Sequence, residues 1–316
     1  MWVVLAFVSA LCLGGYDISK KIALRDRRVV DVLTCSILIS SLILSLPLIL
    51  SRLCPEWMTG TAFYVPHMDA QAHLLTLLKS CIVLSSWVFA YISLKHLPLS
   101  VVSPMQATRP MWTLIGALLI FGERLNAWQW AGVILALGSI FVFSFHGKSS
   151  HSLPATDNRY YICLALAILI GSCSGLYDKF MMRRYDHNAV QVYYTFYQAA
   201  MMLVVWGIDR FAHRAKADAL NQQGHNERLS FDLRFSTGWL PILLISVFLV
   251  ISDNVYMLAL RDPDSLIAVV STIRRGGAVI GFAYGLIFLH EQEPRKKIAC
   301  MAGIMAGLVC LALGSI

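Results

Sequence analysis

Stretches of about 20 apolar residues follow one another along nearly the whole chain, separated by shorter polar connections. A helix of that length crosses the roughly 30 Å hydrocarbon core of a bilayer. Of the 316 residues, 58% are hydrophobic and only 14% are charged, which is more apolar surface than one soluble core could bury. Backbone polar groups need internal partners at membrane depth, and the runs lack the alternation of barrel strands. We therefore expect an all-α integral membrane protein.

Ten such runs are present, five on each side of a polar break. They fall near residues 2–23, 32–51, 73–94, 98–121, 126–145, 160–182, 188–209, 238–260, 264–289 and 297–315. This predicts ten transmembrane helices, arranged as a first repeat over 1–146, a linker over 147–159 and a second repeat over 160–316. Because five is odd, the second half must enter the membrane from the opposite side, so any sequence repeat is an inverted repeat.

The two halves do share short motifs. Val101–Ser103, followed twenty residues later by Glu123, recurs as Val269–Ser271 followed by Glu291. Tyr16 and Asp17 of the first half correspond to Tyr177 and Asp178 of the second. Inverted repeats of this kind are typical of transporters that work by alternating access, with the substrate near the midplane.

With Gly-Glu-Arg at 122–124 answered by His-Glu-Gln at 290–292, this pattern resembles the EamA family of the drug/metabolite transporter superfamily. The resemblance implies a ten-helix transporter with a central cavity. The superfamily transports substrates that range from amino acids to nucleotide sugars and sugar phosphates, and it includes flippases, so the resemblance implies one of these activities. His290 stands where the family pattern has glycine.

Two arguments about orientation disagree. Sixteen of the 26 lysines and arginines lie on the connections after the odd-numbered runs, and six lie on the opposite face. The positive-inside rule then predicts that both termini are extracytoplasmic, and we favour this reading. The resemblance implies cytoplasmic termini instead.

Three arginines lie where the bilayer should be driest. Arg109, Arg274 and Arg275 stand about ten residues, or roughly 15 Å, into the fourth and ninth runs. Gln106 aligns with Arg274, and Pro104 and Pro110 predict a kink at the same depth. A charge in hydrocarbon costs on the order of 3 kcal/mol, so each arginine must have a partner or a function that offsets this cost. We expect them to bind an anionic part of a substrate; the alternative is internal pairing with acids.

Other polar and aromatic side chains within the runs complete the candidate site. The acids that could couple or gate transport, through a bound proton or an ion pair, are Asp17, Asp178 and Asp253. The side chains expected on the cavity wall are Trp87, Trp112, Asn254 and Tyr256, although such groups also serve in helix packing.

The chain shows no phosphate-cradling glycine loop, and its eight cysteines and nine histidines have no metal-ligand spacing. We therefore expect no cofactor, no metal and no enzymatic activity. The prediction is a secondary exporter or exchanger of a small metabolite, with an anionic substrate favoured. Its expected partners are that substrate, the lipid bilayer and a coupling proton, without nucleic acid. We expect a monomer or homodimer in a bacterial inner membrane. The alternatives are a flippase of lipid-linked sugars or phospholipids and a membrane-embedded lipid-modifying enzyme.

Overall fold

The computed structural model describes residues 1–23, 27–97, 105–106, 108–146, 158–222, 238–277, 279–280 and 294–315. The helices in these ranges are α1 (Trp2–Ala23), α2 (Val29–Leu53), α3 (Pro55–Met58), α4 (Ala70–His96), α5 (Arg109–Ile120), α6 (Ala127–His146), α7 (Asn158–Met182), α8 (His187–Gln222), α9 (Leu240–Arg261), α10 (Ile267–Arg275) and α11 (Pro294–Leu313). The predicted all-α membrane class is confirmed.

Five of the described helices, α1, α2, α4, α7 and α9, are long and apolar enough to cross a bilayer. The fourth and ninth predicted runs are described only in part, as α5 and α10, so the count of ten spans and the two inverted repeats stay predictions. Most of the predicted linker, the Val101–Ser103 motif, His290 and Glu291 lie outside the described residues.

One helix extends well beyond its predicted run. The eighth run was placed near residues 188–209, whereas α8 continues to Gln222. Residues 211–220 include four alanines, one arginine and one lysine, and contain neither glycine nor proline. These residues have high helix propensity, so the helix continues past the last apolar residue of its run.

Helix pairs from different halves form the centre of the molecule. α1 packs along α9, and α4 packs along α7. Ser9 and Ser252 join α1 and α9 reciprocally, because each hydroxyl donates to the other residue's carbonyl at 2.9 and 3.0 Å. Ser86 joins α4 to α7 by donating to the carbonyl of Ala167 at 2.8 Å. These short interhelical hydrogen bonds fix the helices that surround the candidate site.

Large aliphatic side chains point outward instead of into the core. Leu42, Leu46, Leu119 and Val204 are between 62% and 80% exposed. A soluble protein of this size would bury most such residues, whereas lipid solvates them. The polar and charged groups described next lie on the inner faces of the same bundle.

Candidate functional site

The fourth run is interrupted where its arginine stands. α5 begins at Arg109, after a turn in which the N–H of Thr108 donates to the carbonyl of Met105 at 3.1 Å. Pro110 therefore lies in the first turn of α5, where its missing N–H removes no helical hydrogen bond. The kink predicted from the prolines is thus a helix start, while Pro104 lies outside the described residues.

The ninth run is interrupted at the corresponding place. α10 ends at Arg275, and the N–H of Gly276 donates to the carbonyl of Ile273 at 2.8 Å, the spacing of a 3₁₀ turn. A Cβ atom on Gly277 would overlap the carbonyl of Ala10, so glycine lets α1 approach this break closely. Interrupted helices in matching places of two halves are where many secondary transporters bind their substrates.

Arg274 is held by an acid, a hydroxyl and a ring. Its Nη2 atom is ion-paired with Oδ1 of Asp253 and donates to Oγ of Ser252 at 3.3 Å. Its guanidinium carbon lies 4.2 Å from the centre of the Tyr256 ring. Asp253, a candidate coupling residue, is therefore the partner of a candidate substrate-binding arginine.

A second ion pair lies nearby and was not predicted. Nζ of Lys79 on α4 is 2.8 Å from Oδ1 of Asp178 on α7, and the lysine is only 1% exposed. The contact is an ion pair without well-aligned hydrogen-bond geometry. The Lys79 ammonium also lies 4.2 Å from the centre of the Tyr194 ring. Lys79 could have been singled out from the sequence, because it is a charged residue within the apolar run 73–94.

Arg109 and Arg275 differ from Arg274 because neither guanidinium has a hydrogen bond or ion pair with any described residue. Arg109 lies against Gly171, where a Cβ atom would overlap its guanidinium. Arg275 is exposed, yet it interacts electrostatically with Arg109, Arg274 and Asp17. We call Arg109, Arg274 and Arg275 the arginine cluster. Two of its three charges are available to a ligand.

Asp17 and Asp178 both lie within electrostatic range of this cluster. Asp17 is exposed on α1 and interacts with Lys20, Arg275 and Arg274. Asp178 is buried and interacts with Lys79 and Arg274. The structure therefore brings the three candidate acids and the three arginines into one electrostatically coupled group.

The remaining predicted wall residues are more scattered. Gln106 is half-buried and helical just ahead of the turn at Thr108, and Trp112 is 46% exposed on α5 itself. Trp87 packs against an apolar cluster that contains Ile37 and Met202. Asn254 donates to Asn188 at 2.9 Å and to Gln191 at 2.8 Å, which ties α9 to α8.

A separate charged network lies where the far end of α7 meets the end of α5 and the start of α10. Glu123 accepts the N–H groups of Ile267 at 2.7 Å and Ala268 at 3.2 Å, and also the ammonium of Lys179 at 3.1 Å. Lys179 donates in addition to the carbonyl of Ser265. We call these five residues the end network. Glu123 therefore caps α10, which is distant in the sequence.

The chemistry of the two sites is different. In the end network, the charges of Glu123 and Lys179 are paired with each other and hydrogen-bonded to backbone groups. Its carboxylate lies at a helix amino terminus, where a negative charge is favoured. The arginine cluster offers unpaired guanidinium groups at two helix breaks, which suits a carboxylate or phosphate group. Within the described ranges, no three His, Cys, Asp or Glu side chains converge as metal ligands would.

Comparison with known proteins relates parts of the chain to transporters and carriers. Residues 1–145 match the EamA-like transporter family. The solute carrier family 35 member B1 homolog of Drosophila melanogaster is 30% identical over 111 residues, which are 35% of this chain and 31% of the fly protein. The chain therefore aligns with about a third of that relative's length. Both descriptions name a transporter or carrier; the relative is eukaryotic, so the bacterial inner membrane stays a prediction.

A solved crystal structure of a protein without a stated function is similar in fold. It superposes with a TM-score of 0.72 over 99% of this chain and 96% of its own, at 12% sequence identity. Identity that low shows the shared fold alone. The resemblance inferred from the motifs is thus supported over the first part of this multi-pass membrane protein, where residues 1–145 match the EamA-like transporter family.

Proposed function

We propose that this protein is a secondary transporter that carries a small anionic solute across the membrane by alternating access. The observation that carries the proposal is the pair of unpaired guanidinium groups, Arg109 and Arg275, at the breaks in the fourth and ninth runs. The family match and the carrier relative support transport as the class of function.

The charge balance supports an anion in particular. Asp253 offsets the charge of Arg274, and Asp178 offsets that of Lys79. Arg109 and Arg275 then repel each other, with Asp17 as the one further acid in electrostatic range of Arg275. An anion between them would replace this repulsion with charge-assisted hydrogen bonds, each worth about 1.5–3 kcal/mol.

The interrupted helices supply a means of movement. A helix that breaks at Arg109 and another that ends at Arg275 can change direction at these points without breaking further backbone hydrogen bonds. The end network joins α5, α7 and α10 on one side of the arginine cluster. It acts as the closed gate of that side in our proposal, and its contacts separate when the site opens there.

The three acids then offer a route to coupling. A proton on Asp178 would cancel its attraction for Lys79 and leave that ammonium to a second negative charge on the substrate. Asp253 stands in the same relation to Arg274, whereas Asp17 lies within electrostatic range of Arg275 without an ion pair. A proton carried with the anion reduces the net charge that must cross the membrane.

A ligand panel on the purified protein tests the proposal. Thermal unfolding in neutral detergent is compared with anionic, zwitterionic and cationic metabolites at matched ionic strength. Wild-type protein should be stabilised by a subset of the anions, by about 2.7 kcal/mol at a hundred times Kd. Arg109→Gln and Arg275→Gln should lose this response. Arg159→Gln, which removes an exposed charge from the opposite end of α7, should keep it.

The anions that stabilise the protein are then assayed for counterflow into proteoliposomes without ATP. Wild-type protein should take up these anions, and Arg275→Gln should not. Stabilisation by cations, or by anions equally in wild type and both arginine variants, would make the arginines structural. Asp17 and Asp178 would then be the residues to test as the site.

A further inference from the structure

A cavity of about 610 Å³ opens at the turn between α7 and α8, beyond the end network. Its lining includes three arginines, Arg183, Arg184 and Arg261, and a single acid, Asp186. It is separate from the arginine cluster, because Lys179 and the rest of the end network lie between them along α7. The positive charge at this cavity plays no part in the proposed transport site.

The one carboxylate in the cavity is already engaged. Oδ1 of Asp186 accepts the N–H groups of Asn188 at 2.9 Å and Ala189 at 3.3 Å, which caps the start of α8. Its Oδ2 lies 3.2 Å from Nη1 of Arg261. Asp186 therefore offsets one arginine and leaves the other two without an acid.

The two remaining arginines are held in place by aromatic rings. The guanidinium carbon of Arg184 lies 4.4 Å from the centre of the Phe180 ring, and that of Arg183 lies 5.2 Å from the centre of the Phe121 ring. Their guanidinium groups have no hydrogen-bond acceptor among the residues that the structure describes. Packing over a ring restricts the guanidinium and leaves its N–H edge available, which reduces the entropy lost on binding.

The distribution of charge along the sequence points to the same place. Only six of the 26 basic residues lie on connections of this face, and three of the six line the one cavity. Membrane orientation depends on the total number of basic residues in the connections and does not require them to converge. Convergence around a cavity is what anion binding requires.

We propose that this cavity is a second anion site, which binds a phosphate group through the guanidinium edges of Arg183 and Arg184. Planar guanidinium groups match phosphate oxygens in pairs, which distinguishes this site from a diffuse basic surface. The phosphate belongs either to a soluble ion or to the headgroup of an anionic lipid at the membrane surface. The inference does not depend on the proposed transport function.

Two arms of one experiment separate these sources. In the first, inorganic phosphate is titrated onto the full-length protein in neutral detergent, with chloride at matched ionic strength, and the thermal midpoint is followed. In the second, the protein is placed in nanodiscs of phosphatidylcholine with or without phosphatidylglycerol, and bound phosphatidylglycerol is counted by native mass spectrometry. Each arm compares wild type with the double variant Arg183→Gln/Arg184→Gln.

We expect the double variant to bind at least ten-fold more weakly in one of the two arms, and that arm identifies the source. Arg159→Gln is the matched control for lost charge, and Arg109→Gln/Arg275→Gln must keep the response if the two sites are separate. The charge-preserving variant Arg183→Lys/Arg184→Lys should bind with intermediate affinity, because it keeps the charge and loses the paired geometry. Equal binding by wild type and the Gln variant in both arms, or no binding by wild type, would overturn the proposal.

Discussion

The end network and the arginine cluster are both charged assemblies near α5 and α10, but their charges differ in how far they are paired. In the end network, Glu123 accepts three donors, and Lys179 donates to both a carboxylate and a carbonyl. These two residues are 7% and 1% exposed. In the arginine cluster, Arg109 and Arg275 have no hydrogen bond or ion pair with any described residue.

The difference separates a structural role from a binding role. A buried charge that is fully paired is costly to break, because removing one partner leaves the other desolvated and alone. Charges kept close together without partners reduce stability and are retained where a ligand supplies the partner. We therefore expect the same kind of substitution to have opposite consequences at the two places.

The largest effect should come from Glu123→Gln. It leaves the Lys179 ammonium buried without its carboxylate, so we expect a loss of about 3–5 kcal/mol in the free energy of unfolding. Unfolding by SDS in mixed micelles measures this loss. Lys179→Met should cost less, because the Glu123 carboxylate keeps the N–H groups of Ile267 and Ala268.

The double variant Glu123→Gln/Lys179→Met is the control for this pair. If the two charges stabilise each other, it should unfold at a higher SDS fraction than the sum of the single losses predicts. Additive losses would show that the pair contributes little and that the contrast between the two assemblies is smaller than the geometry indicates.

The second effect tests the arginine cluster without changing its charge. Gly171→Ala places a methyl group where the Arg109 guanidinium now lies, so that side chain must move. Loss of its one or two charge-assisted hydrogen bonds to an anion should weaken binding about 10- to 100-fold. The affinity for an anion found in the ligand panel gives the measurement.

Gly175→Ala is a matched control one turn further along α7. The nearest atom to its added methyl group is Cγ2 of Thr113 at 3.9 Å, an ordinary contact. It should bind the anion as wild type does. Equal affinity in both variants would show that the position of Arg109 does not matter for binding.

The third effect is on stability and has the opposite sign from the first. Arg275→Gln removes a charge that repels Arg109 and Arg274, and it breaks no ion pair among the described residues. We expect it to be neutral or to stabilise the protein by about 1 kcal/mol in SDS unfolding without ligand. A destabilisation comparable to that of Glu123→Gln would erase the distinction between the two assemblies.

The sequence was sufficient for the features that depend on local composition and depth. Apolar runs predicted the helical membrane class, and charges within them located Arg109, Arg274, Arg275 and Asp253. It was insufficient where residues far apart in the chain meet. The pairing of Glu123 with Lys179 and of Lys79 with Asp178 depends on how α4, α5 and α7 pack, which no spacing within one run reveals.

The internal repeat likewise does not predict which residues form ion pairs. Alignment of Tyr16 and Asp17 with Tyr177 and Asp178 places Ile18 opposite Lys179. The motif that carries Glu123 and Glu291 is therefore duplicated, whereas the lysine that Glu123 binds is not. Lys179 therefore has no counterpart at Ile18, and the two sides of the proposed transporter need not close with equal strength.

The smallest expected effect concerns Asp186, beyond the end network. Burial raises the pKa of Asp186, but the hydrogen bond and charge of His187 and the N–H groups of Ala189 and Asn188 lower it by more. The pKa of Asp186 is therefore below its usual value. A lowered folded-state pKa stabilises the protein at pH values above the unfolded pKa of about 3.9 and ceases to do so as pH falls through the folded value.

Asp186→Asn should therefore cost about 1 kcal/mol near pH 6, since asparagine keeps the helix cap but lacks the charge. The difference between the thermal midpoints of the two proteins should shrink as pH falls through the lowered folded-state pKa of Asp186, because the aspartate is then protonated too. A difference that does not change with pH would assign the effect to the geometry of the cap, and the ionised aspartate would then stabilise the folded state no more than a neutral side chain does.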